Sequence, residues 1–545
     1  MRVIRSRKHW FVLSLARGWR TGRCWMIFAM LLLSLAPSRG MGQASGSLQQ
    51  ATPQSGQAGP PAGTYTLQVN AQAVVLDVVV TDKKGKPVTN LGKDDFQIYE
   101  DKVPQTVRSF DAPVTHPEPA NIAVNSTMEL DKLEPTASVT ILVLDEINTR
   151  FEDELFARYS LKKFLDAQGE TLTQPTLLVA VDLQRFTMLH DYTTSRKDLL
   201  AALEHHLVAY PWRQGGGWKT EQFNAAVASI MEIAEATAGH PGHKSMIWIG
   251  RGFPSFDPES LSPEADAALQ TTIETCTNGL RDSRVVLYTL DSAGVSTAPV
   301  AQDDDGFYTD DPFGGQIDFN AMALATGGES FFGRNDVDRL IAASALDGAS
   351  FYTLSFTPTL PITDAKIFHN LRVVMRNPDL RAATREGYYS QPAKPAPARS
   401  ADGKLSDRQV FDLMVAGQST MVYDAVPLTV LRMTGTTGDF KVSLSSADVT
   451  WQTDGANKLS ANVTLLVESF DKKGKLLDRQ GESTTVEVPR DPDAATPGTP
   501  WVTLLAKIPT KPPAARIRFV VRLDDSGKLG SSNFLLVDPA TLSGP

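Results

Sequence analysis

Cysteine is nearly missing from this chain: Cys24 and Cys276 are the only two in 545 residues. No apolar run is long enough to cross a bilayer either, since the longest, Trp25 to Ala36, has 12 residues where about 20 are needed. The first 44 residues contain no acid at all. Three catalytic or nucleotide signatures are also absent: there is no G-x-S-x-G, no H-E-x-x-H and no G-x-x-x-x-G-K. These gaps exclude a disulfide-built domain and the best-marked hydrolases and NTPases, and they leave no run that spans a bilayer comfortably.

What is present at the start is a leader. Eight basic residues (Arg2, Arg5, Arg7, Lys8, Arg17, Arg20, Arg23 and Arg39) surround the short apolar core, and Gly42-Gln43-Ala44 offers small residues for cleavage. Residues 1–44 are therefore expected to be a signal peptide cut near Ala44, with an uncleaved anchor as the alternative. Cleavage removes eight positive charges and takes the formal charge from −9 to −17. So acidic a protein repels nucleic acid and anionic membranes, so contact with a membrane is expected only during export. It also leaves Cys276 alone, as a buried apolar residue rather than a disulfide partner.

A chain this long needs several cores. Residues 45–63, rich in Gln, Pro, Gly and Ser, read as a disordered spacer. Short strands separated by turns fill 64–111, too few to bury their apolar face alone, and residues 349–390 are expected to complete that β-sandwich. Residues 112–136 read as a Pro-rich linker. From 137 to 348 apolar strands alternate with helices, the pattern of a doubly wound α/β sheet with helices on both faces. Its first unit is Val139–Leu144, ending at Asp145, followed by a helix from Phe151 with Phe151, Leu155 and Tyr159 along one face. After a second linker at 391–402, residues 403–545 show strands without a convincing helix, a second β-sandwich.

Several motifs fall in a recognisable order. Val78 to Phe96 reads V-V-V-x-D-x-x-G-x-P-V-x-x-L-x-x-x-D-F; a T-G-G follows at Thr326, then Y-x-L-x-F-x-P from Tyr352, then R-x-G-Y-Y from Arg385. Over roughly residues 65–390 the chain resembles the von Willebrand factor A-related family typical of acidobacteria. That resemblance implies a secreted protein with a von Willebrand factor A-like (VWA) domain and carries no established activity. It also implies an adhesion site in which D-x-S-x-S, a Thr and an Asp hold a divalent cation. Here Asp145 and Thr149 match, Asn148 lies between them, and Thr220 is a candidate for the second loop. Ile147 replaces an oxygen donor, however, and Arg251 stands where the last acid belongs.

The expected function is thus an extracytoplasmic (periplasmic or secreted) binding or scaffold protein for a protein or cell-surface ligand. Asp145, Asn148, Thr149, Thr220, Arg251 and Asp291 would lie at its loop edge, with no cofactor. Arg251 is expected to pair with Asp145 in place of the cation. The alternative is Mg²⁺ or Ca²⁺ held by Asp145 and Thr149 with Asn148. A rival function is a secreted hydrolase using the strand-end acids Asp145, Asp182 and Asp291. His240 and His243 read as a solvated turn, and the acidic run Asp303 to Asp311 as a mobile loop with loose Ca²⁺ binding as its alternative.

Overall fold

The computed structural model describes residues 9–11, 74–113, 122–183, 186–208, 218–253, 261–294, 319–358, 368–389, 405–435, 438–453, 458–489, 501–508 and 514–536. The spacer 45–63, the linker 391–402 and the acidic run from Asp303 lie outside these residues, as does the leader apart from His9–Phe11, a short strand beside Gly481–Ser483.

At the centre lies a six-stranded mixed sheet. Val139–Asp145 is buried along its whole length between Thr171–Val181 and Lys244–Ile249. Phe186–Ser195 lies beyond the first, antiparallel to it, and Val285–Leu290 then Ser330–Phe331 lie beyond the second. In chain order the strands run 3-2-1-4-5-6, all parallel except the antiparallel edge strand 3. Alternation decides which residue faces where. Ile141 and Val143 pack into one apolar cluster with helices Trp218–Ala236, Pro263–Asp282 and Phe319–Thr326. Leu142 and Leu144 pack into another with Phe151–Ala167, Arg196–His205 and Val337–Asp347. Cys276 is buried among the first group, and burial pushes its thiol up to about 12.

The helix Phe151–Ala167 is turned differently from expectation. Its buried residues are Glu154, Ala157, Ser160, Leu161, Phe164 and Leu165, while Phe151, Leu155 and Tyr159 face outward. The linker expectation is also corrected. From Ile122 the chain belongs to the central domain: Val124 and Leu130 are fully buried, and helix Thr127–Leu133 is tied to Asp191 through Thr127.

Residues 74–111 and 351–389 form two four-stranded sheets. Val74–Thr81 lies between Phe351–Phe356 and Arg381–Ala383, while Phe96–Glu100 pairs with Phe368–Met375. The motifs of the resemblance have structural work here. The Tyr352 ring packs tilted against Phe96 with centroids 4.9 Å apart, and its hydroxyl accepts from Leu91 N and donates to Val88 O. Tyr388 is hydrogen-bonded to Glu100, and Gly327 (φ +94°) meets the backbone of Arg385 too closely to allow a Cβ. The Asp82 turn recurs at Asp471: each carboxylate accepts two backbone N–H groups, and Gly85 and Gly474 share φ +76°.

The C-terminal region contains a β-sandwich in which Lys458–Phe470 is the longest-paired strand, opposite a three-stranded sheet. It opens, against expectation, with a helix, Asp407–Gln418. A capping box between Ser406 and Gln409 starts it, and Leu413 and Ala416 seat it in the cluster around helix Trp218–Ala236. The buried Arg518 donates to Ala416 O and Met421 O and so anchors its end.

Candidate functional site

In an open sheet of this order, the strands diverge where the order reverses, between strands 1 and 4, and ligands bind outside their carboxyl ends. Register places the expected residues along that edge. Asp145 is level with Val181, and Ile249 with both Leu144 and Leu290, so Asp182, Asp145, Gly250 and Asp291 follow one another across the edge.

Asp145 is 1 % exposed and fully engaged. Oδ1 accepts from Ile147 N (2.8 Å) and Asn148 N (3.3 Å); Oδ2 accepts from Trp248 Nε1 (3.1 Å) and Gly252 N (2.5 Å). Burial pushes the carboxyl up to about 6 against the pull of these donors. The glycines of Gly250-Arg251-Gly252 are required by this arrangement. A Cβ on Gly250 (φ +144°) would overlap Asp145 and Thr149, and one on Gly252 (φ +67°) would enter the Phe319 ring.

The cation set does not fit. A carboxylate offers about four lone-pair sites, and on Asp145 all are taken by N–H donors. Ile147 is a buried apolar side chain, and Thr149 Oγ1 accepts from Arg251 N at 3.4 Å. Thr220 is exposed on the first turn of helix Trp218–Ala236.

Arg251 does not pair with Asp145, as the sequence had suggested. Its guanidinium leads away, 3.8 Å from Asp153 and 3.6 Å from Asp291, and remains 36 % exposed. The reason is that Asp145 is already satisfied by nearer donors, whereas Asp153 and Asp291 still offer carboxylate oxygens at the rim. Asp291 also accepts from Ala293 N at 2.8 Å. The strand-end acids are therefore put to separate uses, Asp145 to closing a loop and Asp291 to a rim ion pair.

Two features escaped sequence reasoning. Gln222 donates to Asn148 Oδ1 (2.9 Å) and binds the first loop to helix Trp218–Ala236. Behind the loop, Glu146 is bonded to His206 at 2.6 Å, beside Glu154 and Arg158. Both Glu154 oxygens are buried without a hydrogen bond; burial, with Glu146 nearby, pushes this carboxyl up to about 7. Only the Glu directly after a strand-end Asp hinted at it. At the opposite end of the sheet, His240 and His243 are buried rather than solvated. His243 stacks on Phe351 at 4.4 Å and bonds Asp77, and His240 bonds Ala137 O. The anchors of the first sandwich, Asp77 with His243 and Arg284, thus occupy the amino end and leave the carboxyl edge uncovered by it.

No family model matches the chain, and no curated protein does. Among solved structures it is similar to proximal thread matrix protein 1 from the mussel byssus in two crystal forms. One has 9 % identity and TM-score 0.25, covering 42 % of this chain and 50 % of that one. The other has 13 % and 0.24, covering 43 % and 49 %. The chain thus matches about half the length of the mussel protein, at a level that carries no further argument.

Proposed function

We propose that the protein is an extracytoplasmic binding or scaffold protein whose central domain is VWA-like and receives a protein or cell-surface ligand at its carboxyl edge without a metal. The observation that carries this reading is the exchange of roles at the switch point. The carboxylate suited to a cation is closed by four N–H donors, while Arg251 and Asp291 stand half-exposed beside it. The 3-2-1-4-5-6 order with an antiparallel edge strand and the ordered motif series support the VWA-like assignment. The basic leader supports export, and N-terminal sequencing of the mature protein should begin near Ser45.

The chemistry available at the rim is recognition. Arg251 offers a planar guanidinium that no hydrogen bond among the described residues holds, and the two nearby acids offer acceptors. Immobilised protein should retain a ligand from envelope extracts in chelator-containing buffer, and Arg251→Glu should abolish retention. Retention that needs Mg²⁺ or Ca²⁺, or that survives Arg251→Glu, overturns the reading.

A further inference from the structure

We propose that the C-terminal sandwich is seated on the central domain through a proton-controlled seam. While protonated, the buried carboxyls of Asp424 and Glu232 keep the two regions docked, and on ionising they loosen them. Asp424 sits beside the amino end of strand Lys244–Ile249, away from the ligand edge, so the seam is independent of how that edge is read. The apolar part of the seam is the packing of Leu413, Ala416, Met421 and Tyr423 into the cluster around helix Trp218–Ala236. Hydrogen bonds cross it as well. Gly239 N donates to Asp424 Oδ1 at 2.7 Å, Asp424 N to Ala236 O at 3.3 Å, and Met188 N to Thr420 Oγ1 at 2.9 Å. The approach is close, since a Cβ on Gly239 would overlap the Asp424 backbone.

Neither acid is matched by a cation. Asp424 Oδ2 is buried without a hydrogen bond among the described residues, as are the nearby Tyr192 hydroxyl and Nδ1 of His240. The partly exposed Asp131 lies 3.6 Å from that nitrogen and adds a like charge beside Asp424. Lys244 also faces Asp424, but its Nζ is engaged inside the central domain. It donates to the carbonyls of His240 (2.5 Å), Gly242 (3.1 Å) and Ser283 (2.7 Å). Glu232 repeats the arrangement. Its Oε1 is buried without a hydrogen bond among the described residues, and Ser419, Tyr423 and Arg518 of the C-terminal region and Glu235 of its own helix surround it. Arg518 is engaged by Ala416 O and Met421 O. A buried carboxylate without a paired cation is unfavourable, so the neutral acid is the better-tolerated form. Burial accordingly raises both carboxyls, that of Glu232 to about 7. The docked state therefore holds these protons more tightly than the released one. Docking is strongest below the ordinary carboxylate range and weakens as the pH climbs through neutrality.

Hydrogen exchange of the full chain, followed from about pH 5.5 to about pH 8.5 and corrected for the chemical exchange rate, tests this. If release returns Glu232 to the ordinary 4.5, its ionisation alone weakens docking on the order of a hundredfold. Protection at Met188, Gly239 and Asp424, whose amides donate across the seam, should therefore fall about tenfold or more beyond any fall in strand Val139–Asp145. In a double variant, Asp424→Asn with Glu232→Gln, both groups are neutral at every pH and that difference should vanish; each single variant should remove part of it. Seam amides that keep pace with the strand in the parent protein overturn the proposal, whether or not the double variant folds. So does an excess loss that is equal in the parent and the variants.

Discussion

The backbone N–H of Gly252 lies 2.5 Å from Oδ2 of Asp145, across the gap where the first and fourth strands of the central sheet part. With Trp248 on the same oxygen, this bond fastens the two loops of the candidate site to each other. Asp145→Ala would strand four donors, three of them backbone N–H groups. The expected cost is about 3 kcal/mol or more, read as a lower urea midpoint. The melting temperature of the unaltered protein should not move with Mg²⁺, Ca²⁺ or chelator. A variant as stable as the parent, or a melting temperature raised by either ion, contradicts this account.

The two glycines around Arg251 and the helical Gly279 should respond in opposite directions to alanine. At Gly250 a Cβ meets Asp145 and Thr149 at a φ of +144°, so Gly250→Ala is expected to cost about 3 kcal/mol. Gly279, inside helix Pro263–Asp282, has open space at its Cβ position, and Gly279→Ala should gain about 0.5–1 kcal/mol. Thermal unfolding of the two variants side by side checks both signs.

Stability should fall as the pH rises towards neutrality, and Glu154 is one named source. Its carboxyl is pushed from the ordinary 4.5 up to about 7, so the folded state holds the proton more tightly than the unfolded one. The resulting stabilisation is complete below the unfolded value and lost as the pH climbs through the folded one. Its size is about 2–3 kcal/mol. In Glu154→Gln the neutral group is permanent, so urea midpoints at about pH 5 and about pH 8 should differ less than in the parent. An equal difference in both proteins removes Glu154 from the account.

Asp77 should have the opposite pH behaviour. Burial raises its carboxyl, but His243 and Arg284 outweigh burial and hold it well below the usual aspartate range. It accepts from Arg284 at 2.8 Å and is bonded to His243 at 2.9 Å, tying the first sandwich to the base of the central sheet, and within the sandwich it accepts from Thr353 at 2.9 Å. Its contribution is therefore present above the ordinary aspartate value and lost as the pH falls towards the folded one. Asp77→Asn is expected to cost about 2–4 kcal/mol at neutral pH, and less in acid, by calorimetric unfolding. A cost that does not shrink with falling pH would show that packing, not charge, carries the contact.

Much of this architecture is written locally. The β-branched run Val139–Leu144 sets a buried strand because residues apolar at every position but Thr140 satisfy a sheet covered on both faces, and the alternation of strands with helices around it leaves few other folds open. The turn at Asp82 is equally local, since one carboxylate and one glycine with positive φ close it without outside help. Ser406 and Gln409 spell out a capping box just as locally.

Other features were decided only when distant segments met. Helix Phe151–Ala167 has two apolar stripes, and periodicity cannot say which one meets the sheet; the position of strand Val139–Asp145 chose Ala157, Leu161 and Leu165 and left Phe151, Leu155 and Tyr159 outside. His240 and His243 lie in a Gly/Pro-rich turn that reads as solvated, yet Ala137, Asp77 and Phe351, far away in sequence, bury them. Arg251 was legible as a cation at the site, but its direction was not. That depended on whether Asp145 still had a free oxygen, and it was Trp248 and Gly252, brought close by parallel pairing, that filled the last two positions.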